Sequence, residues 1–177
     1  PKELTARISL KANRDSNAHS VIFTIRESDG KILKSERFHS VIHVKYRMNF
    51  DQVQAFMADP DSAPKEWKAN VKRNLAKLID ITRKMRRLRR ETEEYLAIET
   101  SEIRVLCDEA TKQITGIERK VQREADQLVE ECMLAANSAV ANELIERKIP
   151  GIFRVHPEPD PEKMDEFSFF MEKSFHI

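Results

Sequence analysis

The sequence predicts an α+β domain in which a β-hairpin and short strands pack with two long helices. Three observations carry this. Residues 18–44 are rich in β-formers around a central Asp-Gly pair, and residues 64–92 and 121–147 each show helical apolar spacing. With only three glycines in 177 residues, a barrel or sandwich built on many tight turns is disfavoured, as is a Gly-rich phosphate loop.

The hairpin comes first. AHSVIFTIRES (18–28) leads into the turn Ser28-Asp29-Gly30-Lys31, and ILKSERFHSVIHV (32–44) returns. Asn49 and Gln52 have the spacing of a capping box, which opens a short helix carrying Val53, Phe56 and Met57. A Pro- and Asp-rich loop, 58–64, separates it from the first long helix. There Trp67, Val71, Leu75, Leu78, Met85 and Leu88 fall near one stripe. Leu96–Ile98, Ile103–Leu106 and Ile114–Ile117 are short apolar runs and predict strands or extended segments. The second long helix presents Ala125, Leu128, Val129, Cys132, Met133, Ala136, Val140, Leu144 and Ile145, with Pro150-Gly151 as its stop. Ile152–His156 predicts a short strand. Asp160 caps a final helix with Pro161 in its first turn.

Composition excludes several function classes. The net charge of +1 gives no general attraction to nucleic acid. Two cysteines far apart, Cys107 and Cys132, form no CxxC pattern, which argues against a structural zinc site and fits a reduced, cytoplasmic setting. No apolar run reaches membrane-spanning length, so no membrane partner is expected. The chain starts at Pro1 and its last residues, Phe167–Ile177, read as a helix in progress. Both ends have the look of a segment of a longer polypeptide.

Four features are candidates for chemistry. RKMRRLRR (83–90) has six basic residues in eight, suited to a phosphate backbone or to a solvated helix face. His39 and His43 share one face of a strand, as a metal pair or as structural side chains. Glu130 and Glu131 lie inside the apolar run LVEECMLAAN. Successive helical residues point about 100° apart, so one carboxylate faces inward and needs a partner. A ligand hydroxyl, a metal, or an arginine such as Arg119 or Arg123 would serve. Asn137 shares the face of Glu130. Lastly, Arg154 and His156 precede a Pro-rich turn, a common place for a site edge or merely the end of a strand before a helix cap.

LVEECMLAANSAVANEL (128–144) followed by IFRVHPEPDPEKMDEF (152–167) resembles the catalytic RNB domain of the ribonuclease II and ribonuclease R family, and SERFHSVIHVKYRMNFDQV (35–53) and PKELTARISL (1–10) fit the same domain in order. The resemblance implies a partial RNB catalytic domain across residues 1–177. It implies a parent that hydrolyses single-stranded RNA from the 3′ end to nucleoside 5′-monophosphates, with Mg2+ activating a water. The family's metal-binding aspartates precede the matched region and its arginine segment follows it. The chain alone is therefore expected to bind no metal, to be inactive, and to need the remaining parts of the same polypeptide. By the same resemblance, Glu130 matches a glutamate that approaches the ribose of bound RNA, where a carboxylate accepting from a 2′-OH helps tell RNA from DNA. Phe50 stands where the family usually carries an active-site tyrosine, so stacking remains and the hydroxyl is lost. Ile98 stands where some members place a base-stacking phenylalanine, with Tyr95 nearby but out of register. With Asn137, Arg154 and His156, Glu130 and Tyr95 make the expected RNA-contacting set. The Phe50 and Ile98 departures leave a non-catalytic RNA-binding relative as the alternative. An unrelated helical scaffold or adaptor, with 83–90 as its charged surface, is a third reading.

Overall fold

The computed structural model describes residues 2–92, 102–108, 111, 113–155 and 157–175. The chain divides into two compact units, 1–143 and 144–177.

The first unit opens with a short helix, α1 (Lys2–Ile8), and the expected hairpin of β1 (Asp15–Ile25) and β2 (Ile32–His43). Its antiparallel register sets His19 opposite His39 and Asp15 opposite His43. The turn closes because Gly30 adopts a φ of +79°, a conformation costly for any residue with a Cβ. Gly30 also packs against the backbone of Lys84 and Met85. Lys84 Nζ donates to the Glu27 carbonyl at 2.9 Å, so the turn is fixed to the first long helix.

The capping box forms as the spacing predicts. Gln52 N donates to Asn49 Oδ1 at 2.8 Å and Asn49 N donates to Gln52 Oε1 at 3.1 Å, starting α2 (Phe50–Ala58). A 3-10 turn, Pro60–Ser62, follows. The long helix α3 (Ala69–Thr92) begins five residues later than the periodicity suggests. Trp67 is buried all the same, in the turn before the helix, with its ring edge-on to Phe56 at 6.0 Å between centroids.

β3 (Glu102–Cys107) and β4 (Ile114–Lys120) fall on the runs at 103–106 and 114–117, where strands or extended segments are expected, and pair antiparallel. The run at 96–98 lies outside the described residues. The last helix to start in this unit is α4 (Glu124–Glu146). Phe56, Ala63, Trp67, Leu75, Ile79 and Leu128 form the core, with Tyr46, Met48, Val53 and Met57 against it. The two apolar stripes are thus only partly used. Leu78 of α3 is exposed, and so are Val129, Cys132, Met133 and Ile145 of α4.

In the second unit, α4 stops before Pro150 is reached. Lys148 takes a left-handed φ of +52°. Its N–H donates to the Ile145 carbonyl at 3.0 Å, and Ile149 N donates to the Leu144 carbonyl at 2.9 Å. This is a Schellman turn with a lysine where glycine is usual. Residues 152–155 belong to neither strand nor helix, which corrects the strand expected at Ile152–His156. Among the described residues these four pair with neither sheet, and a strand needs a ladder partner to satisfy its backbone. Asp160 Oδ1 accepts from Glu162 N at 3.1 Å and opens α5 (Pro161–Phe175), as expected from the cap and proline.

Candidate functional site

The question posed by adjacent glutamates on α4 is which one turns inward. Glu131 does. Its side chain is 4% exposed, against 34% for Glu130. A carboxylate at that depth needs matched donors, and α3 supplies them. Arg89 Nη2 donates to Glu131 Oε1 at 2.6 Å and its Nε to Oε2 at 3.3 Å. Arg86 Nη1 adds charge 3.9 Å from Glu131 Oε1. One turn earlier, Arg83 pairs in fork geometry with Glu124, Nη2 reaching Oε2 at 3.0 Å. This bond holds the Glu124 carboxyl below the usual glutamate range, against an opposing push from partial burial.

The rival partners named from the sequence, Arg119 and Arg123, are not the ones used. Arg123 binds Asp51 at 2.6 Å and Asp126 at 3.5 Å. The donors come instead from the basic run, whose Arg83, Arg86 and Arg89 recur every third residue on one side of α3. That regular step was the available signal. Lys84 of the same run is spent on Asp80 at 2.6 Å. Four of the six basic residues at 83–90 therefore face carboxylates of this chain. Three of these residues reach α4 and Lys84 pairs within α3, so half of the run ties the two helices together.

Glu130 is held at the surface of the same helix. Gln122 Nε2 donates to its Oε2 at 2.6 Å, and Arg86 Nη1 lies 3.6 Å from that oxygen. Asn137, seven residues along, is exposed. Glu131, by contrast, lines an open cleft of about 390 Å³ between the hairpin, α3 and α4, with Phe23, Ser35, Arg89, Ser138 and Asn142 among its walls. Neither Glu130 nor Asn137 lines that cleft.

Phe50 is the first residue of α2 and 45% exposed. Its position is set from both sides. The capping box fixes the helix start, and Asp51 and Gln54 tie that turn to the start of α4, Gln54 Oε1 accepting from Ala125 N at 3.0 Å. Phe50 and Glu130 thus belong to one unit and are linked through the first turn of α4. Glu130 lies six residues beyond Glu124, about 9 Å further along the helix. Arg154 is exposed in the second unit. Tyr95, Ile98 and His156 lie outside the described residues.

His39 and His43 do not form a pair. Each turns to its cross-strand neighbour: His39 stacks edge-on with His19 at 5.0 Å, and His43 Nδ1 meets Asp15 Oδ1 at 2.6 Å. Among the described residues, no three His, Cys, Asp or Glu side chains are grouped so that they could hold a metal ion. Among the same residues, no helix is long and apolar enough to cross a membrane.

The comparisons with known proteins agree with this architecture. The RNB domain family model matches residues 1–176. Ribonuclease R of Thermotoga maritima is 32% identical over 164 residues, covering 93% of this chain and 22% of that protein. Ribonuclease R of Aquifex aeolicus is 28% identical over 97% of this chain and 24% of its own length. The chain thus spans about a fifth to a quarter of these relatives. Among solved structures, Mycoplasma genitalium RNase R in complex with ribose methylated single-stranded RNA superposes with a TM-score of 0.87. The match has 21% identity and covers 98% of this chain and 26% of that one. This likeness shows the same fold, and with the family match over nearly every residue, the chain belongs to the RNB domain family.

Proposed function

We propose that this chain is an internal part of the catalytic domain of a 3′-to-5′ exoribonuclease, which hydrolyses single-stranded RNA to nucleoside 5′-monophosphates. The segment supplies an RNA-facing wall rather than the metal centre. Membership of the RNB family, with ribonuclease R relatives along most of the chain, supports the activity. The observation that carries the segment's own role is the split between two adjacent glutamates. Glu131 is consumed by Arg89, whereas Glu130 stays accessible with its carboxylate oriented. An oriented, accessible carboxylate is an acceptor for a ribose 2′-OH, a group that DNA lacks. No step through a metal is assigned to this chain, whose described residues include no group of three His, Cys, Asp or Glu donors.

Phe50 favours a second reading. A phenyl ring can stack on a base but can neither donate to nor accept from a phosphate. A parent lacking that hydroxyl could bind RNA without cutting it. Incubating the natural polypeptide that contains this segment with 5′-labelled single-stranded RNA and Mg2+ separates the two. Stepwise shortening with release of 5′-monophosphates supports the exoribonuclease. Salt-sensitive RNA binding with an intact substrate supports the non-catalytic relative.

A further inference from the structure

We infer that Arg86 and Gln122 are positioning residues for ribose recognition, holding the Glu130 carboxylate so that its second oxygen meets the 2′-hydroxyl. This rests on the reading of Glu130 as the ribose contact. Arg86 and Gln122 reach the same atom. Gln122 Nε2 donates to Glu130 Oε2 at 2.6 Å, and Arg86 Nη1 stands 3.6 Å from Oε2. Oε1 is thereby turned to an incoming donor, since a carboxylate has acceptor sites on both oxygens.

The state of Arg86 is the distinctive observation. Its side chain is 14% exposed, and Nη1 is buried with no hydrogen-bond partner among the described residues. Glu131 does not relieve it, being 3.9 Å away and bonded to Arg89. A buried guanidinium N–H left in that state is costly. The nearest acceptor able to move is Glu130, whose carboxylate needs to shift by roughly half an ångström to come within bonding distance. Contacts in ligand-free sites are often long and tighten when the ligand seats. Closure of Glu130 onto a ribose would thus complete the Arg86 bond at the same time. The basic run would contribute to RNA recognition through a carboxylate, not through phosphate.

A weld between α3 and α4 would also use Arg86, so the test must read ribose selectivity rather than stability. In the natural polypeptide, without divalent cation so that nothing is cleaved, the Kd is measured for two single-stranded oligonucleotides of one sequence. One is all-ribose and the other has 2′-deoxy residues at its 3′ end. The wild-type preference for ribose is expected to fall about tenfold in Glu130→Gln, because a neutral amide oxygen is a weaker acceptor than a carboxylate. Gln122→Ala and Arg86→Met are expected to lower it by a similar factor, with Arg86→Lys recovering part of it. If Glu130→Gln collapses the preference while Gln122→Ala and Arg86→Met leave it intact, the positioning role is overturned and the Glu130 reading stands. If Glu130→Gln itself changes nothing, both fall. Should Arg86→Met fail to fold, Gln122→Ala at an exposed position decides the matter.

Discussion

Arg89 on α3 and Glu131 on α4 are joined at 2.6 Å with the carboxylate almost fully withdrawn from water. Removing one member of such a pair strands the other charge. Glu131→Ala leaves Arg89 without this carboxylate and takes from Arg86 one of its two nearby charges, with an expected loss of about 3–5 kcal/mol. The double change Arg89→Met with Glu131→Leu should cost far less, because both charges leave together. Urea unfolding of the two variants, compared with wild type, checks the contrast.

Gly30 joins the hairpin to α3 by having no side chain. A Cβ there would lie 2.5 Å from the Met85 nitrogen and 2.8 Å from the Lys84 carbonyl carbon, on a backbone already at positive φ. Both groups are helix backbone and cannot move alone. Gly30→Ala is expected to destabilise by about 3 kcal/mol or more. Gly116→Ala is the control, since its nearest neighbour, Leu106 Cδ1, is 3.9 Å away. Thermal unfolding of the pair should separate them by several degrees.

At Lys148 the expected sign is reversed. The Schellman turn requires the left-handed backbone, which a lysine adopts at a cost and glycine adopts freely. Lys148→Gly should therefore raise stability, by about 1 kcal/mol. A shift of the urea midpoint to higher concentration with an unchanged slope is the result to look for.

Acid should weaken the protein through its paired carboxylates. Hydrogen bonding from Arg83 lowers the Glu124 pKa below the ordinary value of 4.5, and Arg26 does the same for Asp29 below 3.8. A group depressed in the folded state stabilises above its unfolded pKa, and that contribution disappears as pH falls through the folded value. Glu124→Gln should accordingly flatten the decline in stability below pH 4.5 and leave the pH 7–8 region parallel to wild type. Urea midpoints measured across this range provide the check.

Much of the fold could be read from residue pattern. Asp29-Gly30 between β-rich runs, the Asn49/Gln52 box and Asp160-Pro161 are local signals, and each produced its element. Local signals fail where long-range partners decide. Nothing near Glu130 and Glu131 in sequence says which faces inward, because the deciding groups sit over forty residues earlier on α3. The same holds for the basic run, whose charges look solvated until the carboxylates of α4 are set beside them. The strand expected at 152–156 fails for a related reason: apolar β-formers are necessary for a strand, but a ladder partner is too. The resemblance to the RNB family, read from motifs spread in order along the whole chain, agrees with the family match over residues 1–176.

The central claim is that this segment frames RNA without building the metal centre. The direct test follows 5′-labelled single-stranded RNA with Mg2+ under two proteins, residues 1–177 alone, shown folded by circular dichroism, and the natural polypeptide containing them. The account predicts an unchanged substrate with the former and stepwise shortening from the 3′ end with the latter. Release of mononucleotides by residues 1–177 alone would contradict it.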